Sequence, residues 1–433
     1  MQSRALPGFR DFYPAETTLR NHIFAAWRAV ARRYGFEEYD GPPLEPLKLY
    51  TDKSGGEIVE QLYNFKDKGG REISLRPEMT PTLARMVAAR AQGLKKPIRW
   101  FSIPQLFRYE RQQRGRLREH FQLNVDLIGE VSPLADAEVI AVSIDVLREL
   151  GLTEEDFKGR LSDRSVMKAL VVGSGVPEKL LGEAFAACDR IDRESGDVLV
   201  ERMTAAGISQ EAAAAVLDIA GIRGSDALLE ALAATDAHAD VSDQLLHCLE
   251  ALKSMGLGGF VEIDCSIVRG LAYYTGIVFE LFDTGRSLRA ICGGGRYDDL
   301  TRDIGGVDFP AVGFGMGDVV LAELLKERGL ITDTTRRTSV FALAVTPADV
   351  PEVLKLAHEL RDEGLTVEYA LKEQSVGKQM KVAAGRNAQV VVIIGEAERE
   401  EFMVVVRDMP AGTESRIARE LVIKQVTGLL SRD

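Results

Sequence analysis

Apolar side chains recur every three or four residues near the start of the chain, the spacing expected for one face of an α-helix. The positions that follow this spacing are Leu19, Ile23, Trp27, Val30 and Tyr34. Gly35 comes next, and glycine commonly ends a helix because it adopts the left-handed backbone conformation without a steric penalty. The pattern therefore predicts an amphipathic helix from about Pro14 to Tyr34.

A period of two, typical of β-strands, follows further along the chain. The alternating apolar positions are Phe121, Leu123, Val125 and Leu127, within a segment that runs from Glu119 to Glu130. Residues 98–111 form a second extended segment, and Gly115 lies in the turn between the two. We expect an antiparallel hairpin that carries Arg, Glu and Gln side chains on one face.

Alanine, leucine and charged residues dominate residues 172–254, which predicts a helical insertion. Strand-like segments return at residues 260–264 and 276–282.

The last hundred residues alternate between strand and helix patterns. Residues 340–345 and 390–394 are continuous apolar runs, typical of parallel strands covered on both faces. Helical periodicity falls at residues 350–363 and 374–387, after a polar linker at 332–338. This pattern predicts a separate small α/β domain.

Composition is that of an ordinary globular protein. The chain has 433 residues, 45% hydrophobic and 28% charged, which predicts about two or three domains. No apolar run is long enough to span a membrane. The four cysteines show no CxxC spacing, so we expect neither a zinc site nor a disulfide framework, and we expect a reducing cytoplasm.

An arginine cluster stands out against a formal net charge of -12. It consists of Arg108, Arg111, Arg114, Arg116 and Arg118. Such a cluster suits phosphate, because the planar guanidinium donates two parallel hydrogen bonds to it. The sequence therefore predicts a polyphosphate ligand, a nucleic-acid ligand or both, with a solvated charged hairpin as the alternative.

Glu78 and Thr80 place a carboxylate and a hydroxyl two residues apart, just before a helical pattern. They suit a socket for a substrate ammonium. The alternative is structural, with Thr80 capping the helix and Glu78 compensating its dipole.

Further polar and aromatic positions suit a ligand pocket. Gln122 and Asp126 share one face of the predicted strand, because four residues separate them. Tyr273 and Tyr274 lie between glycines in a segment that begins at Arg269, where a core corner is the alternative to a ligand site.

Glycine-rich segments at 292–298 and 310–317 leave room for a flat ligand against bare backbone. Neither is a Walker loop or a GxGxxG fingerprint. Because no Ser/His/Asp arrangement or catalytic cysteine signature is evident, covalent catalysis is not favoured.

Taken together, these segments resemble the histidyl-tRNA synthetase family of class II aminoacyl-tRNA synthetases. The segments that carry the resemblance are Leu75–Thr80, the motif-two hairpin Phe107–Gln122, Arg269-Gly-Leu-Ala-Tyr-Tyr and Gly293-Gly-Gly-Arg-Tyr-Asp. The resemblance implies an α+β catalytic domain (1–331) with a mainly antiparallel class II synthetase sheet. It also implies a helical insertion (172–254) and a C-terminal α/β anticodon-binding domain (339–433).

The resemblance implies a histidine site. Glu78, Thr80 and Gln122 match ligands of the histidine ammonium. Asp126 and Tyr274, with the adjacent Tyr273, match positions around the imidazole.

It also implies an ATP site, with ATP as a substrate accompanied by Mg²⁺ and no protein-bound structural metal. Arg108 matches the arginine that grips the α-phosphate and the histidine carboxylate, and Glu110 matches the acid that faces adenine. Arg269 matches a catalytic arginine that contacts the α-phosphate and histidine. The remaining ATP positions implied are Arg116, Gly315 and Gly317.

The implied macromolecular partners are tRNA(His) and a second copy of the chain. Gln112, Arg114, Arg116 and Arg118 would contact the tRNA acceptor end. Pro43 matches the motif-one proline at the dimer interface, so we expect a homodimer.

Two positions depart from the family pattern. Motif three usually reads Gly-Leu-Glu-Arg, whereas here Gly317 is followed by Asp318, Val319 and Val320, so the arginine that would hold the ATP tail is missing. Position 126 often carries glutamate, and the shorter aspartate leaves room for a bridging water.

The expected activity is ATP-dependent ligation of L-histidine to tRNA(His) through a histidyl-adenylate. Two alternatives share the fold. One is a histidine-binding regulatory subunit of ATP phosphoribosyltransferase, and the other is a non-catalytic tRNA-binding paralogue.

Overall fold

A computed structural model describes residues 5–51, 59–110, 115–191, 193–235, 239–268, 273–285, 288–331 and 338–431. The chain divides into two compact units, Met1–Thr332 and Asp333–Asp433.

The first helix confirms the prediction made from the apolar periodicity near the start of the chain. It spans Pro14–Arg33 (α1) and buries Ile23, Trp27 and Val30. Proline suits its first position, because that residue needs no amide hydrogen bond. Gly35 follows the helix with a φ of 74°, so it adopts the left-handed conformation that ends helices.

The first unit is built on a nine-stranded sheet in which most neighbouring strands are antiparallel. Among the described residues, only the pairings at the two ends of this sheet are parallel. They join the first strand in chain order to the fifth, and the eighth to the ninth. Its strands are Glu37–Glu38 (β1), Ile98–Ser102 (β5), Gln105–Phe107 (β6), Glu119–Ile128 (β7), Phe157–Asp163 (β8), Val261–Ile263 (β9), Ile277–Asp283 (β10), Cys292–Arg296 (β11) and Ala311–Gly317 (β12). A smaller sheet contains Leu44–Pro46 (β2), Asn64–Lys66 (β3) and Glu72–Leu75 (β4).

Helices of the first unit cover this sheet. After α1, the α-helices that begin before residue 172 are Lys48–Thr51 (α2), Thr80–Arg90 (α3), Pro133–Glu149 (α4) and Arg164–Gly173 (α5). Those further along are Leu181–Cys188 (α6), Gly196–Ala205 (α7), Gln210–Ala220 (α8), Ser225–Ala233 (α9), Asp243–Ser254 (α10), Leu300–Gly305 (α11) and Asp318–Glu327 (α12). Residues 172–254 thus form a run of short helices, as their composition predicts.

The predicted hairpin is present, but its first arm is not one strand. β5 and β6 both pair antiparallel with β7, and Ser102–Asn124 and Gln105–Phe121 keep the same register. The arm is interrupted at Ile103-Pro104 because proline has no amide hydrogen to donate to the ladder. It also ends at Phe107, so the prediction that it extends as a strand to Arg111 was wrong for Arg108 to Glu110.

One apolar core joins the sheet to the helical run of residues 172–254. The buried side chains of this cluster include Trp27, Val125, Val142, Leu199 and Val216.

The second unit is a mixed α/β domain, as predicted. Its strands lie in the order β14-β13-β15-β16-β17, with bounds Val340–Ala344 (β13), Val367–Tyr369 (β14), Val390–Ile394 (β15), Met403–Asp408 (β16) and Thr413–Ala418 (β17). β13 and β15 are parallel neighbours, which confirms the interpretation of their continuous apolar sequences. The helices are Val350–Asp362 (α13), Val376–Gly385 (α14), Glu396–Glu400 (α15) and Val422–Leu430 (α16).

Candidate active site

A cavity of about 650 Å³ opens in the first unit beside β7, β11 and β12. Among the described residues, five arginines and three carboxylates line it, so its wall carries a surplus of positive charge. The arginines are Arg108, Arg116, Arg160, Arg193 and Arg289, and the carboxylates are Glu110, Asp189 and Glu280. Such a wall favours an anionic ligand.

Six of the predicted site residues that the structure describes lie on this wall. They are Arg108, Glu110, Arg116, Gln122, Gly315 and Gly317. The sequence separates them by up to about two hundred positions, and the pairing of β7 with β12 brings them together, with Gln122 opposite Gly317. A Cβ atom at Gly315 would lie 2.8 Å from the end of the Gln122 side chain, so Gln122 would have to shift to accommodate it.

Arg108 and Glu110 are held in place by the hairpin and its neighbour. Nε of Arg108 donates a hydrogen bond to the carbonyl oxygen of Pro77 at 2.9 Å, next to Glu78. Glu110 is buried and forms an ion pair with Arg116, while Nη1 of Arg108 lies 3.9 Å from its Oε1. Glu110 therefore orients two cations on one wall of the cavity.

Arg118 has a different environment from the other hairpin arginines. Its guanidinium lies over the ring of Tyr109, 4.0 Å from the centroid, and its Nε donates to the carbonyl oxygen of Glu110 at 3.3 Å. These contacts fix Arg118 against the hairpin, and it is not among the described residues that line the cavity.

His120 was missed by sequence reasoning and lines the cavity. Burial, together with the nearby Arg108, Arg10 and Arg116, lowers the pKa of its imidazole to about 3. His120 is therefore neutral near pH 7. His120 follows Arg118 by two residues in the predicted hairpin, but its isolated position showed no ligand spacing with the other histidines, and only the fold brings Arg10 beside it.

A second polar cluster adjoins the cavity. The Tyr297 hydroxyl donates a hydrogen bond to Oδ1 of Asp126, and both residues are buried. Burial raises the pKa of Asp126 to about 7, opposed by the hydrogen bond from Tyr297. A Cβ atom at Gly313, opposite on β12, would overlap with this carboxylate.

Aromatic rings and a buried acid complete this cluster. The ring of Tyr273 lies 5.0 Å from that of Tyr274 and 6.0 Å from that of Tyr297, centroid to centroid. The Tyr273 hydroxyl lies 3.5 Å from Oε2 of Glu78. Tyr297 was not predicted as a site residue, although it stands in the glycine-rich motif already singled out.

The cavity and the tyrosine cluster share wall residues. Ile267 lines the cavity and belongs to the same apolar cluster as Tyr274 and Tyr297. Gln122 and Asp126 lie on the same face of β7, as predicted, but only Gln122 is among the cavity-lining residues. The two compartments are therefore adjacent rather than one open space.

Thr80 is the first residue of α3, and Met79 occupies the capping position before it. The alternative that Thr80 caps this helix is therefore wrong. Arg269, Gln112 and Arg114 lie outside the described residues.

Valine occupies the space where the missing motif-three arginine would stand. Val320 lines the cavity, and its Cγ2 lies 3.3 Å from a Cβ position built on Gly115. Arg296 does not substitute for it, because it forms an ion pair with the buried Asp136 and donates to the carbonyl oxygen of Glu130 at 3.0 Å.

Comparison with known protein families assigns the chain. The family model for histidyl-tRNA synthetase matches residues 8–318, and the model for the anticodon binding domain matches residues 339–429.

The chain belongs to the histidyl-tRNA synthetase family.

Curated relatives agree along nearly the whole length. Histidine–tRNA ligase of Opitutus terrae is 43% identical over 434 residues, covering 99% of each chain. The chloroplastic/mitochondrial enzyme of Arabidopsis thaliana is 40% identical and covers 95% of this chain and 84% of its own. The Haloarcula marismortui enzyme is 41% identical and covers 95% and 94%.

Solved structures show the same fold. Histidyl-tRNA synthetase from Nostoc sp. PCC 7120 has a TM-score of 0.83 at 24% identity, over 99% of both chains. The apo Staphylococcus aureus enzyme has a TM-score of 0.71 at 23% identity, over 98% of this chain and 100% of its own. A Bacillus halodurans protein named as ATP phosphoribosyltransferase regulatory subunit/histidyl-tRNA synthetase has a TM-score of 0.75 at 24% identity, over 91% and 99%.

The family assignment confirms the predicted class II fold with a C-terminal anticodon-binding domain. It also confirms the predicted enzyme class: the chain is a class II aminoacyl-tRNA synthetase that ligates histidine to tRNA(His), in a family that uses ATP. The regulatory-subunit and non-catalytic alternatives are not favoured, since the relatives at 40–43% identity are ligases. None of the described helices combines the length and apolarity of a membrane span.

Proposed function

We propose that the arginine-lined cavity binds ATP and that the adjoining tyrosine cluster binds histidine, so that the histidine carboxylate meets the α-phosphate where the two compartments join. The observation that carries this proposal is the position of Arg108. Its guanidinium lines the cationic cavity and is hydrogen-bonded to Pro77, the residue before the buried Glu78 of the tyrosine cluster.

On the ATP side, Arg108 and Arg116 bind phosphate oxygens, while Glu110 accepts a hydrogen bond from the adenine amino group. Gly315 and Gly317 allow the nucleotide to approach the backbone of β12. Mg²⁺ enters as part of the nucleotide substrate. The surplus of arginine on the wall supports this assignment, because transfer at phosphorus depends mainly on positioning and charge stabilisation.

On the histidine side, Glu78, Thr80 and Gln122 hold the substrate ammonium. Asp126 accepts a hydrogen bond from the imidazole, and Tyr273 and Tyr274 enclose the ring. Tyr297 orients the carboxylate of Asp126 for this contact. A site built on buried hydrogen-bonding groups rejects isosteres that cannot pair with them, which accounts for selectivity.

The reaction has two steps. A carboxylate oxygen of histidine attacks the α-phosphorus of ATP, forming histidyl-adenylate as the bond to pyrophosphate breaks. A hydroxyl of the terminal tRNA ribose then attacks the carbonyl carbon and expels AMP. Arg108 stabilises charge at the α-phosphate, and we assign the same role to Arg269 on the family resemblance.

The tRNA acceptor end is assigned to Gln112, Arg114, Arg116 and Arg118, and the anticodon to the C-terminal unit. We further propose a cytoplasmic homodimer with Pro43 at its interface. The proposed domain limits are 1–331, with the insertion at 172–254, and 339–433.

The test is histidine-dependent exchange of pyrophosphate into ATP by the purified chain. We expect exchange with L-histidine and none with other amino acids, and a loss of roughly a hundredfold or more in Arg108→Ala. Exchange of pyrophosphate into ATP at the same rate with and without histidine would contradict the proposal. Histidine binding without exchange would instead support a regulatory subunit.

A further inference from the structure

We propose that Arg10 and Asp318 act as a positioning pair that fixes the spacing between the motif-two strand and the start of α12, and thereby the ATP side of the cavity. We call Arg10, Glu119 and Asp318 the Arg10 bridge. Neither Arg10 nor Asp318 is among the described residues that line the cavity, so the proposal concerns geometry. It rests on the proposed function only in taking ATP as the occupant.

Arg10 joins two separate elements. Its Nε donates to Oε1 of Glu119 on β7 at 2.6 Å, and its Nη1 donates to Oδ2 of Asp318 on α12 at 2.9 Å. Glu119 is also bound by Nε2 of Gln105 at 2.8 Å. Both carboxylates are almost fully buried, with residue exposures of 1% and 3%.

Asp318 also extends the ladder between β7 and β12. The last backbone pair is Gln122–Gly317, and one residue further the amide of Phe121 donates to Oδ1 of Asp318 at 2.9 Å. A side chain therefore takes over where the backbone pairing stops.

The residues on either side of these anchors form the wall. His120 and Gln122 flank Phe121, and Gly317 and Val319 flank Asp318. All four line the cavity. Anchoring Phe121 to Asp318 thus sets the distance between two opposed parts of the ATP side.

The segment that carries Arg10 is itself held on the hairpin. The Arg10 guanidinium lies 4.8 Å from the centroid of the Phe12 ring, and that ring lies 6.1 Å from the ring of Phe121. Near its other end, the carbonyl oxygen of Gly8 accepts from the amide of Arg118 at 3.0 Å. The segment from Gly8 to Phe12 therefore spans the hairpin from its turn to its contact with α12.

Charge explains why the pair should act together. Without the guanidinium, two buried carboxylates would face each other uncompensated, and such groups are strongly unfavourable. The strand and the helix would then separate or take up water, and the cavity wall would shift.

The experiment compares Arg10→Gln with Arg99→Gln. Arg99 forms a similar pair with Glu138, with contacts of 2.5 and 2.8 Å, and its side chain is 29% exposed against 25% for Arg10. It is not among the described cavity-lining residues. We expect Arg10→Gln to raise the KM for ATP roughly tenfold in pyrophosphate exchange, with the KM for histidine within about twofold, and Arg99→Gln to leave both within about twofold.

Variants of the aspartate separate its two contacts. Asp318→Asn keeps an oxygen for the Phe121 amide and loses the charge, so its KM for ATP should lie between those of wild type and Asp318→Ala. If Asp318→Ala does not fold, Arg10→Gln still carries the test. Equal KM values for Arg10→Gln and Arg99→Gln would overturn the proposal.

Amide hydrogen exchange gives a readout that does not depend on activity. Peptides covering residues 119–123 should exchange faster in Arg10→Gln than in Arg99→Gln or wild type. Unchanged protection in Arg10→Gln would refute the bridge even if the enzyme is active. A wild-type chain without histidine-dependent exchange would refute the proposed function alone, because the protection result would still decide the bridge.

Discussion

The hydroxyl of Tyr297 donates a hydrogen bond to the carboxylate of Asp126, and both groups are buried beneath β12. On its other side the carboxylate lies against the backbone of Gly313, in the space that a Cβ atom at that position would occupy. The orientation of Asp126 is thus fixed from two sides.

Stability should depend on pH through Asp126. Burial raises its pKa from 3.8 to about 7, so the folded protein keeps a proton that the unfolded chain has lost between about pH 4 and 7. Stability from this group is full below pH 4 and falls as pH rises to about 7. Asp126→Asn removes this loss, which amounts to at most about 4 kcal/mol. Melting temperatures of the variant and wild type, measured from pH 4.5 to 8.5, should diverge as pH rises, and parallel curves would contradict the assignment.

Tyr274→Phe should weaken histidine binding without unfolding the chain. The ring is buried against Gly295 and remains in the variant, whereas the hydroxyl that we assign to the substrate contact is lost. The expected cost of one hydrogen bond is about 1 kcal/mol, or roughly a fivefold rise in the KM for histidine. An unchanged KM at an unchanged melting temperature would count against contact between Tyr274 and the substrate.

Arg269→Ala should lower the rate of histidine activation by roughly a hundredfold or more, because our assignment, made on the family resemblance, makes Arg269 a charge that stabilises the α-phosphate. Pyrophosphate exchange measures this rate, and ATP binding by calorimetry is the companion measurement. Near-wild-type turnover would show that Arg269 has no catalytic role.

Gly313→Ala should weaken histidine binding by roughly five- to 150-fold. The added methyl would overlap with Oδ1 of Asp126, and strain of this kind typically costs about 1–3 kcal/mol. Gly182→Ala is the matched control, because a Cβ atom there meets nothing within 4 Å. Equal histidine affinities in the two variants would show that β12 does not constrain Asp126.

Local patterns predicted an element well where the residues of that element alone determine its secondary structure. α1 follows from apolar periodicity and the left-handed Gly35, and β13 and β15 follow from continuous apolar runs. The interruption at Pro104 was equally visible in the sequence and was missed, because alternation was weighed above the missing amide.

The site was predictable only in part. Arg108, Glu110 and Gln122 stand in one recognisable hairpin, so they could be named in advance. His120 and Tyr297 both stand in segments that the sequence singles out, the predicted hairpin and the glycine-rich segment 292–298. Their contacts with Arg10 and Asp126 cross between elements distant in sequence, so these environments could not be predicted from local pattern.

The shared apolar core of the sheet and the helices of residues 172–254 restricts how this enzyme can move. Cys188 belongs to that core and also lines the cavity, so the cavity wall is continuous with the packed interior. A hinge that swung these helices away as a rigid flap would expose this layer to water. Adaptation to an incoming tRNA should therefore proceed by small sliding shifts, and a substitution that disturbs packing at a distant core position such as Val216 should also alter the cavity wall.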